Sequence, residues 1–157
     1  MLNERALNTR IITAAEGMQD IRLEWDDLLH RARCAGVFQS WEWNSACRQY
    51  FGQGKKLHLI CVRDQDRLVG LAPLEITSMY GLPFRRLQFI GTGTFDYLDF
   101  ILDPDYEKSA LDAITTQITD SGNLWDLVDL QNLHESSPSV GLTNAFDKNP
   151  DFEGEVL

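Results

Sequence analysis

No apolar run in this 157-residue chain approaches the roughly 20 residues needed to cross a bilayer. The opening segment, MLNERALNTR, has no hydrophobic stretch of the kind a secretory signal requires. Both absences argue against membrane insertion, and the chain is expected to be cytoplasmic. Cysteine is scarce: Cys34, Cys47 and Cys61 are three in number, widely spaced and without a paired metal-binding pattern. An odd count leaves at least one thiol outside any disulfide framework, so reduced, structural thiols and no metal site are expected. Basic residues are few, 14 Lys and Arg against 24 Asp and Glu, for a formal net charge of -10. That balance opposes close approach to polyphosphate, and the pairs Lys55, Lys56 and Arg85, Arg86 are too short to reverse it. Nucleic acid and anionic membrane are therefore not expected partners, whereas a small phosphate-bearing molecule stays compatible. Internal repeats and long low-complexity linkers are absent too.

What is present is enough for one core. A chain of this length with 43% hydrophobic residues, including four Trp and eight Phe, reads as one globular domain. Met18, Ile21, Trp25, Leu28, Leu29 and Ala32 fall on one face of a helix over 18–32. Ser40 can cap a second helix, with Glu42 in its first turn, Trp43, Ala46, Cys47 and Tyr50 as its buried stripe and Gly52 as its stop. The period then changes to that of strands: 57–63 and 68–76 form a hairpin around a polar turn, followed by strands over 84–90 and 97–102. Pro73 lacks a ladder donor and implies an edge, a bulge or an early end to pairing. Asp103 before Pro104 opens a further helix with Ala110, Leu111, Ile114 and Ile118 facing the sheet. A strand over 125–130 follows through that helix, a connection that permits a parallel neighbour. Ser137 before Pro138 can open another short helix. The fold class is thus mixed α/β, with a mainly antiparallel central sheet flanked by helices. Residues 1–141 are expected to form one lobe, and 142–157 a flexible acidic tail.

The chemistry-bearing segments each admit a structural reading. In FIGTGTFDYLDF, Gly91 and Gly93 suit a tight turn or a backbone that approaches an anion, but the segment lacks the lysine of a phosphate loop and the full dinucleotide pattern. Asp96 and Asp99 flank Tyr97; both border one opening only if Asp96 still belongs to the loop, and each has capping or strand hydrogen bonding as its alternative. Trp41 and Trp43 point about 200° apart on a helix and need not share a pocket, so Trp43 is assigned to the core, Trp41 has a cleft or interface as its alternative, and Glu42 reads as a cap-region carboxylate. His30, His58 and His134 show no metal spacing. His134, near Ser136 and Ser137, reads as a loop or cap residue rather than half of a catalytic pair. Arg85 and Arg86 read as surface residues or an anion contact, and Asp126 and Asp129 as polar strand residues rather than a metal pair.

Taken in order, FQSWEW at 38–43, YFG at 50–52, LHLICVRDQDRLVGLAPL at 57–74, LQFIGTGTFDYLDFI at 87–101 and WDLVDLQNL at 125–133 form a series. It resembles the cellulose-biosynthesis acetyltransferases of the GNAT superfamily, related to FemAB-like acyltransferases. The resemblance spans roughly 37–138 and implies the N-terminal lobe of a two-lobe enzyme that transfers an acyl group to an amine or hydroxyl. In such proteins the acyl-CoA contacts lie mainly in the later lobe, on a loop and helix start with an R/Q-x-x-G-x-G/A pattern that this sequence lacks, so no cofactor is expected in this chain itself. By resemblance, Trp41, Glu42, Asp96, Tyr97 and Asp99 are the substrate-binding or lobe-packing residues, with no general base assigned. The implied partner is the second GNAT-like lobe, a separate catalytic subunit or a second copy of the chain. A carbohydrate or metabolite binding module is the alternative.

Overall fold

The hairpin of apolar, β-branched segments supplies the centre of the molecule. In a computed structural model that describes residues 6–33, 36–78 and 81–151, β2 (Lys56–Asp64) and β3 (Arg67–Ser78) pair antiparallel, with a bulge at Val62 and Arg63. Their side chains alternate between two buried layers. Ile60, Val62, Val69, Ala72 and Leu74 face one helix layer, while Leu57, Leu59, Cys61, Leu68 and Leu71 face the other.

One flank of the hairpin is taken by β1 (Asn8–Ile12), antiparallel to β2. This strand is not expected from the sequence, because only Ile11 and Ile12 in it are apolar. The other flank of β3 is shared by two collinear strands. β4 (Arg85–Phe89) pairs with Leu74 to Ser78, and β5 (Ile101–Leu102) with Gly70 and Leu71. Between them the chain leaves the sheet over residues 91–100. Pro73 explains the place of departure: its carbonyl accepts from the Ile90 amide at 3.0 Å, so its missing N–H faces the same flank, where the partner strand breaks off. The strand expected over 97–102 is therefore reduced to its last two residues. Tyr97 has φ 61° and stands outside any ladder. β6 (Leu127–Asp129) completes the order β1-β2-β3-β4-β6 and runs parallel to β4.

The expected first helix divides at Ile21 into α1 (Ala15–Asp20) and α2 (Arg22–Arg31), with Met18, Ile21, Trp25 and Leu28 buried. α3 (Trp41–Phe51) starts where Ser40 Oγ accepts from the Trp43 amide. Its inward face is rotated from the expected stripe: Asn44 and Cys47 are buried, Ala46 is exposed and Tyr50 is 73% exposed. Asn44 is held in because its side-chain amide donates to the carbonyls of Phe38 and Ser40. On the opposite face α4 (Glu107–Asp120) buries Ala110, Ile114 and Ile118, and Asp103 caps the turn before it. Beyond Gly141 the chain enters α5 (Leu142–Phe146), which places Leu142 and Phe146 in the α4-side core. Cys34, Tyr80 and residues 152–157 lie outside the described residues. Among the described residues no helix is long and apolar enough to cross a membrane.

Candidate functional site

Because β4 and β6 are parallel, their carboxyl ends lie at one edge of the sheet, the position at which open α/β sheets form ligand crevices. The chain leaving β4 forms one wall there through Tyr97, Leu98 and Asp99. The chain leaving β6 forms a second through His134 and Ser136. The connection between α2 and α3 forms a third through Arg33, Phe38 and Gln39. Together they enclose a groove of about 510 Å³.

Each wall is tied to its neighbours. Gln39 is buried by its place in the short helical turn Val37–Gln39; its side-chain amide donates to the Tyr97 carbonyl, and its own carbonyl accepts from Trp25 Nε1 at 2.8 Å. Asn132 donates to the Phe95 carbonyl at 2.8 Å, joining the two loops. Phe95 packs edge-on to Trp43, with ring centroids 4.5 Å apart, and stacks on Phe38 at 5.8 Å. These contacts hold Tyr97 in its left-handed backbone conformation with its side chain 60% exposed.

Asp99 lies at the base of the groove and is 5% exposed. Its Oδ1 accepts from the Phe100 amide at 2.7 Å and from Ser139 Oγ. Burial raises the carboxyl above its ordinary pKa, more than the hydrogen bonds from Ser139, Ser137 and Phe100 lower it. On the facing wall the Ser136 amide donates to His134 Nδ1 at 3.2 Å. The Ser136 hydroxyl lies 2.6 Å from the same nitrogen. No carboxylate orients His134 among the described residues, so this pair lacks the third member that activates a serine nucleophile. Cysteine chemistry is disfavoured at the two described thiols as well. Burial raises the Cys47 thiol, and pushes that of Cys61 to about 11.

Of the five expected site residues, the groove unites Tyr97 and Asp99. Asp96 is exposed on the same loop but does not line the groove. Trp41 and Glu42 sit apart from it at the junction of the first three helices. There Arg22 lies 4.5 Å from the centre of the Trp41 ring and 2.8 Å from Glu42, and Trp41 Nε1 donates to the Met18 carbonyl. Hydrogen bonds from its own backbone amide and from Arg22 hold Glu42 below the usual carboxylate range. Gly91 and Gly93 adopt φ 87° and 85° in consecutive turns outside the groove, which is the structural reading of that segment. Arg85 and Arg86 pair with Asp126 and Asp129 across β4 and β6. Arg33, Gln39, His134 and Ser136 carry no sequence signal of a shared site, although Gln39 lies within FQSWEW.

Neither a protein-family model nor a curated protein sequence matches the chain. Solved structures do. An aminoglycoside acetyltransferase from an uncultured soil metagenomic sample, solved with sisomicin, superposes with a TM-score of 0.54 at 14% identity, over 96% of this chain and 92% of that one. An acetyltransferase of Trypanosoma brucei superposes with a TM-score of 0.50 at 13% identity, over 97% and 96% respectively. The chain shares the fold of these two acetyltransferases. At such identities the likeness is one of fold and carries no substrate with it.

The resemblance read from the sequence implies an acyl-CoA, whose diphosphate needs a helix start open to an anion. The starts of the three longest described helices do not fit that group. Glu24, Glu42 and Glu107 occupy the first turns of α2, α3 and α4. Before α4 the Asp103 carboxylate already accepts from the Asp105 amide at 3.1 Å, so a carboxylate holds the place of the phosphate. Asp105 and Glu107 add further negative charge there.

Proposed function

We propose that this chain is the N-terminal lobe of an acyl-CoA-dependent N- or O-acyltransferase of the FemAB-like, cellulose-biosynthesis type, and that its groove binds the acceptor. The observation that carries this reading is the groove at the carboxyl ends of β4 and β6, where segments of the resembling series converge: Gln39 from FQSWEW and Tyr97 and Asp99 from LQFIGTGTFDYLDFI. In this reading Tyr97 and Asp99 position the acceptor, Asp96 sits at the loop surface, and Trp41 and Glu42 pack the lobe. The acyl thioester belongs to a second GNAT-like lobe or a separate catalytic subunit, because the helix starts here repel a diphosphate. Exposed Leu82, Phe84, Leu124 and Leu127 beside β4 and β6 offer that partner an apolar surface. The compartment is the cytoplasm.

The test is a calorimetric titration of residues 1–157 with acetyl-CoA. No saturable binding by the folded chain is expected; stoichiometric binding would refute the division of labour between lobes. A second reading, a carbohydrate or metabolite binding module, is favoured by the exposed Tyr97 ring beside hydrogen-bonding groups without a nucleophile and base. It requires a glycan ligand whose affinity is unchanged when a catalytic partner is added.

A further inference from the structure

Across β2, β3, β4 and β6 the register sets Leu57, Glu75, Gln88 and Asp129 side by side in one row. Leu57 packs toward α2 and α3, so the row faces that side of the sheet, and Arg86, two residues before Gln88, shares the face. Beyond Leu57 this face is polar, and its groups are linked in a strip. Arg48 and Lys55 pair with Glu75 at 3.2 and 2.9 Å, and Gln88 Nε2 donates to Glu75 Oε1 at 3.0 Å. Asp129 Oδ2 accepts from Arg86 Nη1 at 3.3 Å and from Gln131 Nε2 at 2.7 Å. The strip is interrupted between Gln88 and Asp129. There Gln88 Oε1 and Arg86 Nε are both closed to solvent and take no hydrogen bond from any described residue. Gln88 as a whole is 2% exposed. Turning its amide over gives no relief, because that sets its oxygen against the Glu75 carboxylate.

We infer that one resident water molecule binds on this face between β4 and β6, and that Arg86, Gln88 and Asp129 form its site. Arg86 reaches Asp129 through Nη1, so its Nε, two covalent bonds back, lies beside the row that Gln88 and Asp129 share. One donor, the Nε–H, there meets two acceptors. These are Gln88 Oε1 and the Asp129 carboxylate, which has more lone-pair sites than its two hydrogen bonds use. A molecule matching that set accepts once and donates twice at a single centre, which is the hydrogen-bonding capacity of water. The guanidinium refuses a metal cation, and the two facing oxygens refuse an anion. Leaving a buried donor and a buried acceptor unpaired is costly, and a water held by about three such partners removes the cost for both. The inference does not depend on the acceptor-groove reading. It makes the strip continuous from Lys55 to Gln131, where the chain leaves β6 for the His134 wall of the groove.

The experiment reads magnetisation transfer between the water resonance and the Arg86 Nε proton of the full chain, labelled with nitrogen-15 at arginine. The expected result is a cross-peak of opposite sign in laboratory-frame and rotating-frame spectra, the signature of a water that stays bound longer than the protein tumbles. Gln88→Leu removes one acceptor and is expected to abolish that cross-peak. A protected Nε proton with no cross-peak to water means a dry contact and overturns the inference. A cross-peak of the same sign in both spectra, or an Nε proton lost to rapid exchange, means open access to bulk solvent and overturns it too. Should Gln88→Leu fail to fold, a crystal structure of the wild-type chain decides by itself. An ordered water within hydrogen-bond distance of both Arg86 Nε and Gln88 Oε1 is expected, and a direct bond between those two atoms, or a site without water, sinks the proposal.

Discussion

Asp99 and His58 are both ionisable side chains kept from water, and they impose opposite pH dependences on stability. Burial raises the pKa of Asp99 in the folded chain. As pH rises past about 4 the unfolded chain ionises first, so stability falls until the folded carboxyl also ionises. Asp99→Asn is expected to remove that fall. In urea unfolding, the gap in stability between variant and wild type should widen from pH 4 upward in favour of the variant; a gap independent of pH would mean that Asp99 is not desolvated. His58 is 1% exposed, its Nε2 has no hydrogen-bond partner, and burial lowers its pKa. Its contribution is present above about pH 6.5 and is lost as the unfolded chain takes up protons below that value. His58→Leu is expected to flatten this acid limb without lowering stability at pH 8, since it also removes an orphaned polar atom. The same urea series checks both variants. Neither environment was legible in the sequence, where His58 was simply one of three histidines without metal spacing and Asp99 a choice between strand and site.

At the scale of elements, local signals located much of the structure. Ser40 caps α3 as expected, Asp103 and Pro104 open the turn before α4, and the β2 and β3 hairpin falls close to its periodicity. Caps and alternation are written in consecutive residues, and that is why they could be read. What joins the elements was not readable. Asp103 ties α2 to β3 through Arg31 and Arg67. Asp103→Ala would leave those cations facing a partly buried gap, and a loss of about 3 kcal/mol is expected by urea unfolding. A Cβ on Gly70 would stand 2.9 Å from Ala110 Cβ and 3.3 Å from Val62 Cβ, with stiff neighbours on both sides. Gly70→Ala is therefore expected to push α4 off the sheet at a cost of about 1–3 kcal/mol in the same assay. A change under a few tenths would show that α4 rides loosely on β3.

For the whole molecule, the proposed partner lobe yields an expectation of its own. Leu127 is exposed on β6, with exposed Leu124 shortly before that strand and exposed Leu82 and Phe84 before the neighbouring β4. If a second lobe or second copy packs there, sedimentation velocity should show concentration-dependent association by the wild-type chain that Leu127→Asp reduces without altering its unfolding midpoint. A wild-type chain that stays monomeric with no partner recovered removes the support for that surface.

The sequence by itself determined the class of fold, the amphipathic faces of α2 and α4, the central hairpin and the net acidic charge, because each depends on spacing along a short stretch or on composition alone. Tertiary structure alone decided the rest. β1 is a strand because β2 offers it a register, and the fourth strand breaks because Pro73 has no donor where a partner would need one. The groove exists because three distant stretches of chain, carrying Arg33 and Gln39, Asp99, and His134, meet at the carboxyl ends of two parallel strands. Which of the buried carboxylates are paired with cations depends on long-range contacts of that kind, and no local pattern in the residues encodes them.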